Sequence, residues 1–327
     1  MGKVTCALRN FFDFLTVGLL VAIFLALFFP PTGALASFFD ILTDFVVALL
    51  FFLHGAKLSP DKLLAGISAI RAQIIIILST FFLFPILALL LSPLMGLVLK
   101  PDFLMGILFL SALPSTVQSS ITFTSIARGN IALAVSAASA SSILGVFVSP
   151  LIVSLILDVP MAATKLDILW DLCLKLLFPF ALGQLSRRWT KDFIEHHDGL
   201  LAITDRLSVI FIVFVSFSGA TVEGLWHLLD LTQFLIILLC CMVILALALT
   251  ITAVLGKLLN FKIEDRISII FCGSKKSLMA GVPMAGIIFS PSIAGLIILP
   301  LMIFHQLQLL VCAQIARKFA SRKPEED

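Results

Sequence analysis

Long apolar stretches alternate with short polar segments along the whole chain of 327 residues. A helix needs about 20 apolar residues to cross the hydrocarbon core of a bilayer, and windows of that length give ten candidate spans. The spans cover residues 13–30, 37–54, 72–92, 102–128, 130–157, 167–186, 201–220, 231–256, 265–290 and 293–316, with boundaries soft by a few residues. The pattern therefore predicts an all-α polytopic membrane protein with ten transmembrane helices.

Glycine, proline and polar residues interrupt two of these spans. The ninth contains the run GSKKSLMAGVP from Gly273 to Pro283, and the fourth contains SALPSTVQSS around Pro114. At mid-membrane depth, charge and irregular backbone persist only where they are buried in protein or line a cavity, so intramembrane lysines favour a functional interpretation. Either break alone is also explained as a simple kink, because glycine and proline are common in membrane helices.

The ten spans divide into two halves of five. An odd number of spans gives the halves opposite membrane orientation, which is the inverted-repeat plan of many secondary transporters. The predicted repeats are residues 1–160 and 161–327. The interrupted spans are the fourth of each half, and such a matched pair indicates a binding site near the membrane midplane.

Composition and charge restrict the function further. The chain is 61% hydrophobic and 13% charged, with mean hydropathy +1.18 and net charge +3. Most lysines and arginines fall in segments that would face inside, and only Lys100 and Lys165 fall in outer loops, so we expect an inner-membrane protein with both termini cytoplasmic. Nucleic acid is not expected as a partner. The lack of metal-ligand spacings and of hydrolase motifs predicts no metal, no cofactor and no enzymatic activity.

At the two breaks the chain resembles the bile acid:sodium symporter family (solute carrier family 10), and within it the YfeH-like subgroup. The resemblance covers nearly the whole chain and is strongest in PSTVQSSITFTSIARGNIALAVSAAS, GSKKSLMAGVP and the HQLQ run from His305 to Gln308. It implies a panel domain of spans 1, 2, 6 and 7 and a core domain of spans 3, 4, 5, 8, 9 and 10. Discontinuous helices 4 and 9 would cross inside the core, and alternating access would move core against panel.

Sodium-coupled members of that family bind two sodium ions at the crossing, and the corresponding positions here match poorly. The resemblance places the shared glutamate on Phe271, the adjoining glutamine and asparagine on Lys275 and Lys276, and a third-helix glutamine on or near Thr80. It places a serine-asparagine pair on Ser120 and Ile121, or on Ser119 and Ser120 with a shift, and a serine and threonine on Ala134 and Ala138. Hard cations prefer oxygen ligands that include a carboxylate, so sodium coupling is not expected.

The candidate substrate and ion site comprises the residues of both breaks and their expected neighbours. They are Lys275, Lys276, Ser274, Ser277, Gly273, Pro114, Ser115, Thr116, Gln118, Ser119, Ser120, Thr80, His305 and Gln308. The hydroxyl residues also suit plain helix packing, and His305 suits either packing or a relay. Consecutive side chains point in different directions, so one lysine is expected to be central and buried and the other peripheral, with Lys275 preferred as central.

A lysine at an ion site has three possible roles. It could act as a tethered cation in place of sodium, attract an anionic substrate, or exchange a proton, because burial disfavours the charged amine. The leading prediction is therefore a secondary active transporter that moves a small organic anion through the bilayer by alternating access, with protons favoured over sodium as the coupling ion. A membrane regulatory or scaffold protein that kept the fold but lost transport fits the lost sodium positions equally well.

Overall fold

The computed structural model describes residues 14–57, 69–157 and 173–322, and these residues form helices and turns without a β-strand. The helices are α1 (Phe14–Phe28), α2 (Ala34–Lys57), α3 (Ile70–Met95), α4 (Pro101–Ala112), α5 (Gln118–Ile126), α6 (Ile131–Ile156), α7 (Phe178–His196), α8 (Asp198–Val222), α9 (Leu231–Leu258), α10 (Ile263–Gly273), α11 (Leu278–Ile288) and α12 (Pro291–Ala320). The predicted all-helical class is confirmed. The count of ten spans and the inverted repeat stay predictions.

Six helices in the described part of the chain are long and apolar enough to cross a bilayer, namely α2, α3, α6, α8, α9 and α12. The shorter helices α1 and α4 are also apolar. Large apolar side chains such as Ile41, Leu90 and Leu155 are more than 70% exposed, which suits contact with lipid chains rather than water. The chain is therefore an integral, multi-pass membrane protein.

The fourth and ninth predicted spans are each built from two helices. Residues 113–117 separate α4 from α5, and residues 274–277 separate α10 from α11. Leu113 is extended, with φ −75° and ψ 155°, because the ring of Pro114 disfavours helical geometry in the residue before it. Two further irregularities were not predicted: α3 contains a π-helical turn at Ser79–Leu83, and another π-helical turn, Cys173–Leu177, directly precedes α7.

Two compact units make up the described chain, and each has its own packing. The first unit contains residues 14–57, 173–229 and 282–298. Within it α2 and α7 approach backbone to backbone, because a Cβ at Gly55 would overlap the Phe180 carbonyl and one at Gly183 would overlap the Phe52 carbonyl. Lys57 adds an ion pair with Asp205 of α8 at 2.6 Å.

The second unit contains residues 69–157, 230–281 and 299–322. Its helix α10 packs against α3, α5, α6 and α9. A buried apolar cluster lies between α3, α6 and α10, and it consists of Ala72, Ile76, Leu133, Ala134, Ala137, Ile269 and Cys272. This packing surrounds the first half of the broken ninth span with protein.

The turn between α5 and α6 is fixed to the start of α10. The Asn130 side chain accepts a hydrogen bond from the Leu133 N–H at 3.0 Å, which caps α6, and it donates to Asp265 of α10 at 2.8 Å. Arg322, just beyond α12, donates to the carbonyls of Ala127 and Arg128 in the same turn. These bonds give α5, α6 and α10 one common anchor in the second unit.

Candidate functional site

The two breaks contact each other inside the second unit. The Ser277 N–H donates to the Pro114 carbonyl at 2.8 Å. The hydroxyl of Ser115 donates to the Cys272 carbonyl at 2.6 Å, and that of Ser120 donates to the Phe271 carbonyl at 3.1 Å. The last carbonyls of a helix have no intrahelical partner, so hydroxyls of the first break cap the end of α10.

Lys276 lies at the centre of this contact and is fully buried. Its Nζ donates to the carbonyls of Thr80 at 2.7 Å, Ser111 at 2.6 Å and Leu113 at 2.7 Å. Ser111 and Leu113 lie at the carboxyl end of α4, where open carbonyls and the helix dipole favour positive charge. The Phe84 ring lies 4.3 Å from Nζ. One ammonium group thus links α3, the first break and the second break.

Thr80 reaches the site through its main chain. Its hydroxyl donates to the Ile76 carbonyl at 2.9 Å within α3, whereas its own carbonyl accepts from Lys276. Thr80 belongs to the π-helical turn, and such turns are frequent at functional sites. Gly273 lies close to the same turn, since a Cβ there would stand 3.1 Å from Cβ of Ser79.

Lys275 is also fully buried, but its surroundings differ. Its Nζ has no hydrogen-bond partner among the described residues. It lies 4.1 Å from the ring centroid of Phe123 and 5.5 Å from that of Phe271. The expectation that one lysine would be buried and the other peripheral is wrong, because both are buried. The two differ in their partners, not in their depth.

Gln308 of α12 holds the backbone at the second break. Its side chain accepts the Lys276 N–H at 2.9 Å and donates to the Lys276 carbonyl at 2.9 Å. The same amide nitrogen lies 2.9 Å from Nδ1 of His305. Gln308 therefore supplies both hydrogen bonds that the broken helix cannot give to Lys276, and His305 orients the amide.

The remaining predicted residues lie around the first break or cap the second. The Ser274 hydroxyl donates to the Ile270 carbonyl at 2.6 Å, and Ser277 accepts the Ala280 N–H at 3.2 Å. Thr116 shares hydrogen bonds with Ser119 at 2.7 Å and Ser120 at 3.1 Å. Gln118 is exposed, so the structure does not place its side chain in the buried cluster.

Helix α6 supplies two site residues that the sequence did not single out as such. Ser141 accepts the Ser115 N–H at 2.9 Å. Gly145 leaves room for Pro114, because a Cβ there would stand 2.6 Å from Cβ and Cγ of the proline ring. Ser141 and Gly145 are four residues apart and so lie on one face of the helix, which is the pattern by which the sequence could have indicated them.

Two interrupted helices that meet at a buried polar centre are the arrangement in which secondary transporters build their midplane binding sites. The chain belongs to the SBF-like CPA transporter family, whose profile matches residues 13–321. It is 46% identical over 314 residues to the uncharacterized protein PA2026 of Pseudomonas aeruginosa, covering 96% of this chain and 94% of that one. Family membership makes it a transporter-family protein and not an enzyme, and the resemblance to bile acid:sodium symporters is confirmed.

Two further relatives have names that describe a function. YfeH of Escherichia coli, named as a candidate symporter, is 45% identical over 307 residues, which is 94% of this chain and 92% of YfeH. The mouse sodium/bile acid cotransporter 7 is 27% identical over 308 residues, which is 91% of this chain and 90% of the relative. The chain therefore matches these relatives over nearly their full length.

Proposed function

We propose that the protein is a secondary active transporter that moves a small organic anion by alternating access without sodium. The observation that carries this proposal is the Lys276 ammonium, which sits on three carbonyls where the two breaks meet. The family resemblance implies that in sodium-coupled members sodium ions bind where the two broken helices cross. A tethered ammonium performs that bridging without an ion.

Electrostatics oppose a sodium ion at this centre. Two unit charges 4 Å apart repel by about 4 kcal/mol at an effective dielectric constant of 20. That penalty weakens sodium binding beside Lys276 by roughly a thousandfold, because about 1.4 kcal/mol corresponds to a factor of ten. The three carbonyl oxygens are also occupied by the amine. Protons are therefore favoured over sodium as the coupling ion.

An anionic solute suits the charge of the same centre. Two buried lysines lie next to each other, and no carboxylate of the described residues forms an ion pair with either of them. The amino terminus of α11 follows directly, and open N–H groups at a helix start attract anions. One relative is named for both sodium and bile acids, and bile acids are organic anions. The lysines of this chain argue against the sodium and not against the anion.

We further infer that the two halves 1–160 and 161–327 are inverted repeats in the inner membrane, with both termini cytoplasmic. In this arrangement the first unit is the panel and the second, which holds the lysines, is the core. The grouping of α1, α2, α7 and α8 in the first unit supports the assignment, as does the grouping of α3 to α6, α9 and α10 in the second. Residues 282–298 of α11 and α12 depart from it, because they group with the first unit and not with the second.

Uptake by purified protein in liposomes tests the proposal. The assay covers a panel of organic anions that includes the bile acid taurocholate, under separate sodium and proton gradients. We expect uptake with an inward proton gradient that is unchanged when potassium replaces sodium. Lys276→Gln should lower uptake at least tenfold, whereas Lys257→Gln, at an exposed position of α9, is the matched control and should not.

Two outcomes contradict the proposal. Sodium-stimulated uptake by the wild-type protein would show that the lysines have not replaced the ion. If no solute is taken up under any gradient, the result favours the alternative function, that of a regulatory or scaffold protein that retains the fold.

A further inference from the structure

Hydrogen bonding assigns the protonation state of Lys276. A lysine ammonium has three N–H donors, whereas a neutral amine has two. The Lys276 Nζ contacts three carbonyl oxygens at 2.6 to 2.7 Å, and a carbonyl oxygen can only accept. All three contacts are hydrogen bonds only if the group is an ammonium. Lys276 therefore keeps its proton in this conformation.

The same argument gives the opposite result for Lys275. Its Nζ is buried and has no hydrogen-bond partner in the described part of the chain, and the faces of Phe123 and Phe271 lie 4.1 and 5.5 Å from it. Aromatic faces offset part of the loss of hydration of a cation, but a buried charge needs a counter-charge or hydrogen bonds to persist. The surroundings of Lys275 therefore suit a neutral amine.

The ionisable neighbours of Lys275 provide no counter-charge. They are the thiols of Cys272 on α10 and Cys312 on α12, together with the adjacent Lys276. Helices α5 and α6 contain no ionisable side chain. The acidic residues of α10, Glu264 and Asp265, lie in its first turn, about 12 Å along the helix from its end at Gly273.

We propose that Lys275 is the proton-binding residue of the transport cycle, neutral in this conformation and protonated when the break opens to water. In this step the Nζ lone pair takes a proton from a hydronium ion of the entering water, so one N–H bond forms, one O–H bond breaks and a water molecule is left. The new ammonium then pairs with the anionic solute, so a monovalent anion and one proton enter together with no net charge. This inference rests on the proposed function, and Lys276 remains a fixed cation throughout.

A substrate-free experiment on the full-length protein tests this division of roles. Thermal unfolding in detergent is compared between wild type, Lys275→Met and Lys276→Met from pH 5 to pH 9. An unfolded lysine holds its proton over this range, so a neutral folded Lys275 means that the unfolded state binds one more proton, and wild-type stability must rise with pH. The folding equilibrium constant of the wild type, divided by that of Lys275→Met, should rise by up to tenfold for each unit of increasing pH.

The second variant shows whether the effect is specific to Lys275. Lys276 is charged in the folded and in the unfolded protein, so the difference in stability between wild type and Lys276→Met should not change with pH. If the difference in stability between wild type and Lys275→Met is likewise constant from pH 5 to pH 9, the proposal is overturned.

A measurement on the wild type needs no variant to fold. Solid-state NMR of protein with ¹⁵N-labelled lysine side chains in lipid at pH 7 separates neutral amines from ammonium groups. We expect a neutral-amine signal, and a spectrum with ammonium signals alone would contradict the assignment.

These experiments and the uptake assay can fail independently. If no solute is transported, the proposed function fails while the protonation of Lys275 is still measured. If Lys275 is charged, transport can still be found, but with another coupling group. Where a solute is found, liposomes loaded with a pH-sensitive dye should report proton influx with anion uptake for wild type and for Lys257→Met, and none for Lys275→Met.

Discussion

Replacing Lys276 with methionine removes the ammonium and keeps most of the side-chain volume. The carbonyls of Thr80, Ser111 and Leu113 lose their shared donor. Hydrogen bonds to a charged group contribute about 1.5–3 kcal/mol each, which gives roughly 4–9 kcal/mol for three. Relief of the buried charge offsets several kcal/mol of this loss. We therefore expect Lys276→Met to destabilise the protein by about 2–4 kcal/mol.

Lys275→Met is the matched comparison, because its side chain is equally buried but makes no hydrogen bond. We expect Lys275→Met to raise stability near neutral pH, because methionine fits a site lined by Phe123 and Phe271. The variant also avoids the deprotonation that a neutral folded Lys275 requires, which costs about 1.4 kcal/mol for each pH unit below the ordinary lysine pKa of about 10.4. Thermal unfolding in detergent, followed by the fluorescence of the three tryptophans, measures both variants. The Lys276→Met midpoint should fall by roughly 4–8 °C. The hydrogen-bond argument is refuted if the two variants unfold at the same midpoint, or if Lys276→Met unfolds at the same midpoint as wild type.

Two further substitutions test how the breaks are positioned. Gly145→Leu should overlap the Pro114 ring, destabilise by about 1–3 kcal/mol and abolish uptake, whereas Gly199→Leu, which has open space, serves as control. Gln308→Leu leaves the N–H and carbonyl of Lys276 without partners and should lower thermal stability by about 1–3 kcal/mol. Gln308→Glu keeps one acceptor, so its unfolding midpoint should lie between those of Gln308→Leu and wild type. If Gln308→Leu unfolds at the same midpoint as wild type, this role of Gln308 is contradicted.

The helices and their two interruptions could be predicted because their causes are local in the sequence. Apolar length sets a spanning helix, and Pro114 disfavours helical geometry at Leu113. The π-helical turn of α3 has no such signal, since Ser79–Leu83 contains only residues common in membrane helices. Its Thr80 carbonyl binds Lys276, which lies 196 residues further along the chain. Such a tertiary contact is not visible in a local pattern.

The candidate site was predictable in composition but not in arrangement. The lysine run, Pro114 and Gln308 stand out as polar or helix-breaking residues in apolar spans. The expectation of one buried lysine assumed regular alternation of side chains, but residues 274–277 are neither helix nor strand, so both side chains can point into protein. Phe84 and Phe123 could not be recognised, because they are two of 30 phenylalanines.

Sodium dependence of wild-type thermal stability tests the central claim most directly, because the claim is that a built-in ammonium replaces the ion. A ligand that binds only the folded state stabilises it by RT ln(1 + [L]/Kd), about 2.7 kcal/mol at a hundredfold excess over Kd. We predict that melting curves in sodium chloride and potassium chloride of equal concentration superimpose across the titration. A rise in midpoint that saturates with sodium and is absent with potassium would contradict the account.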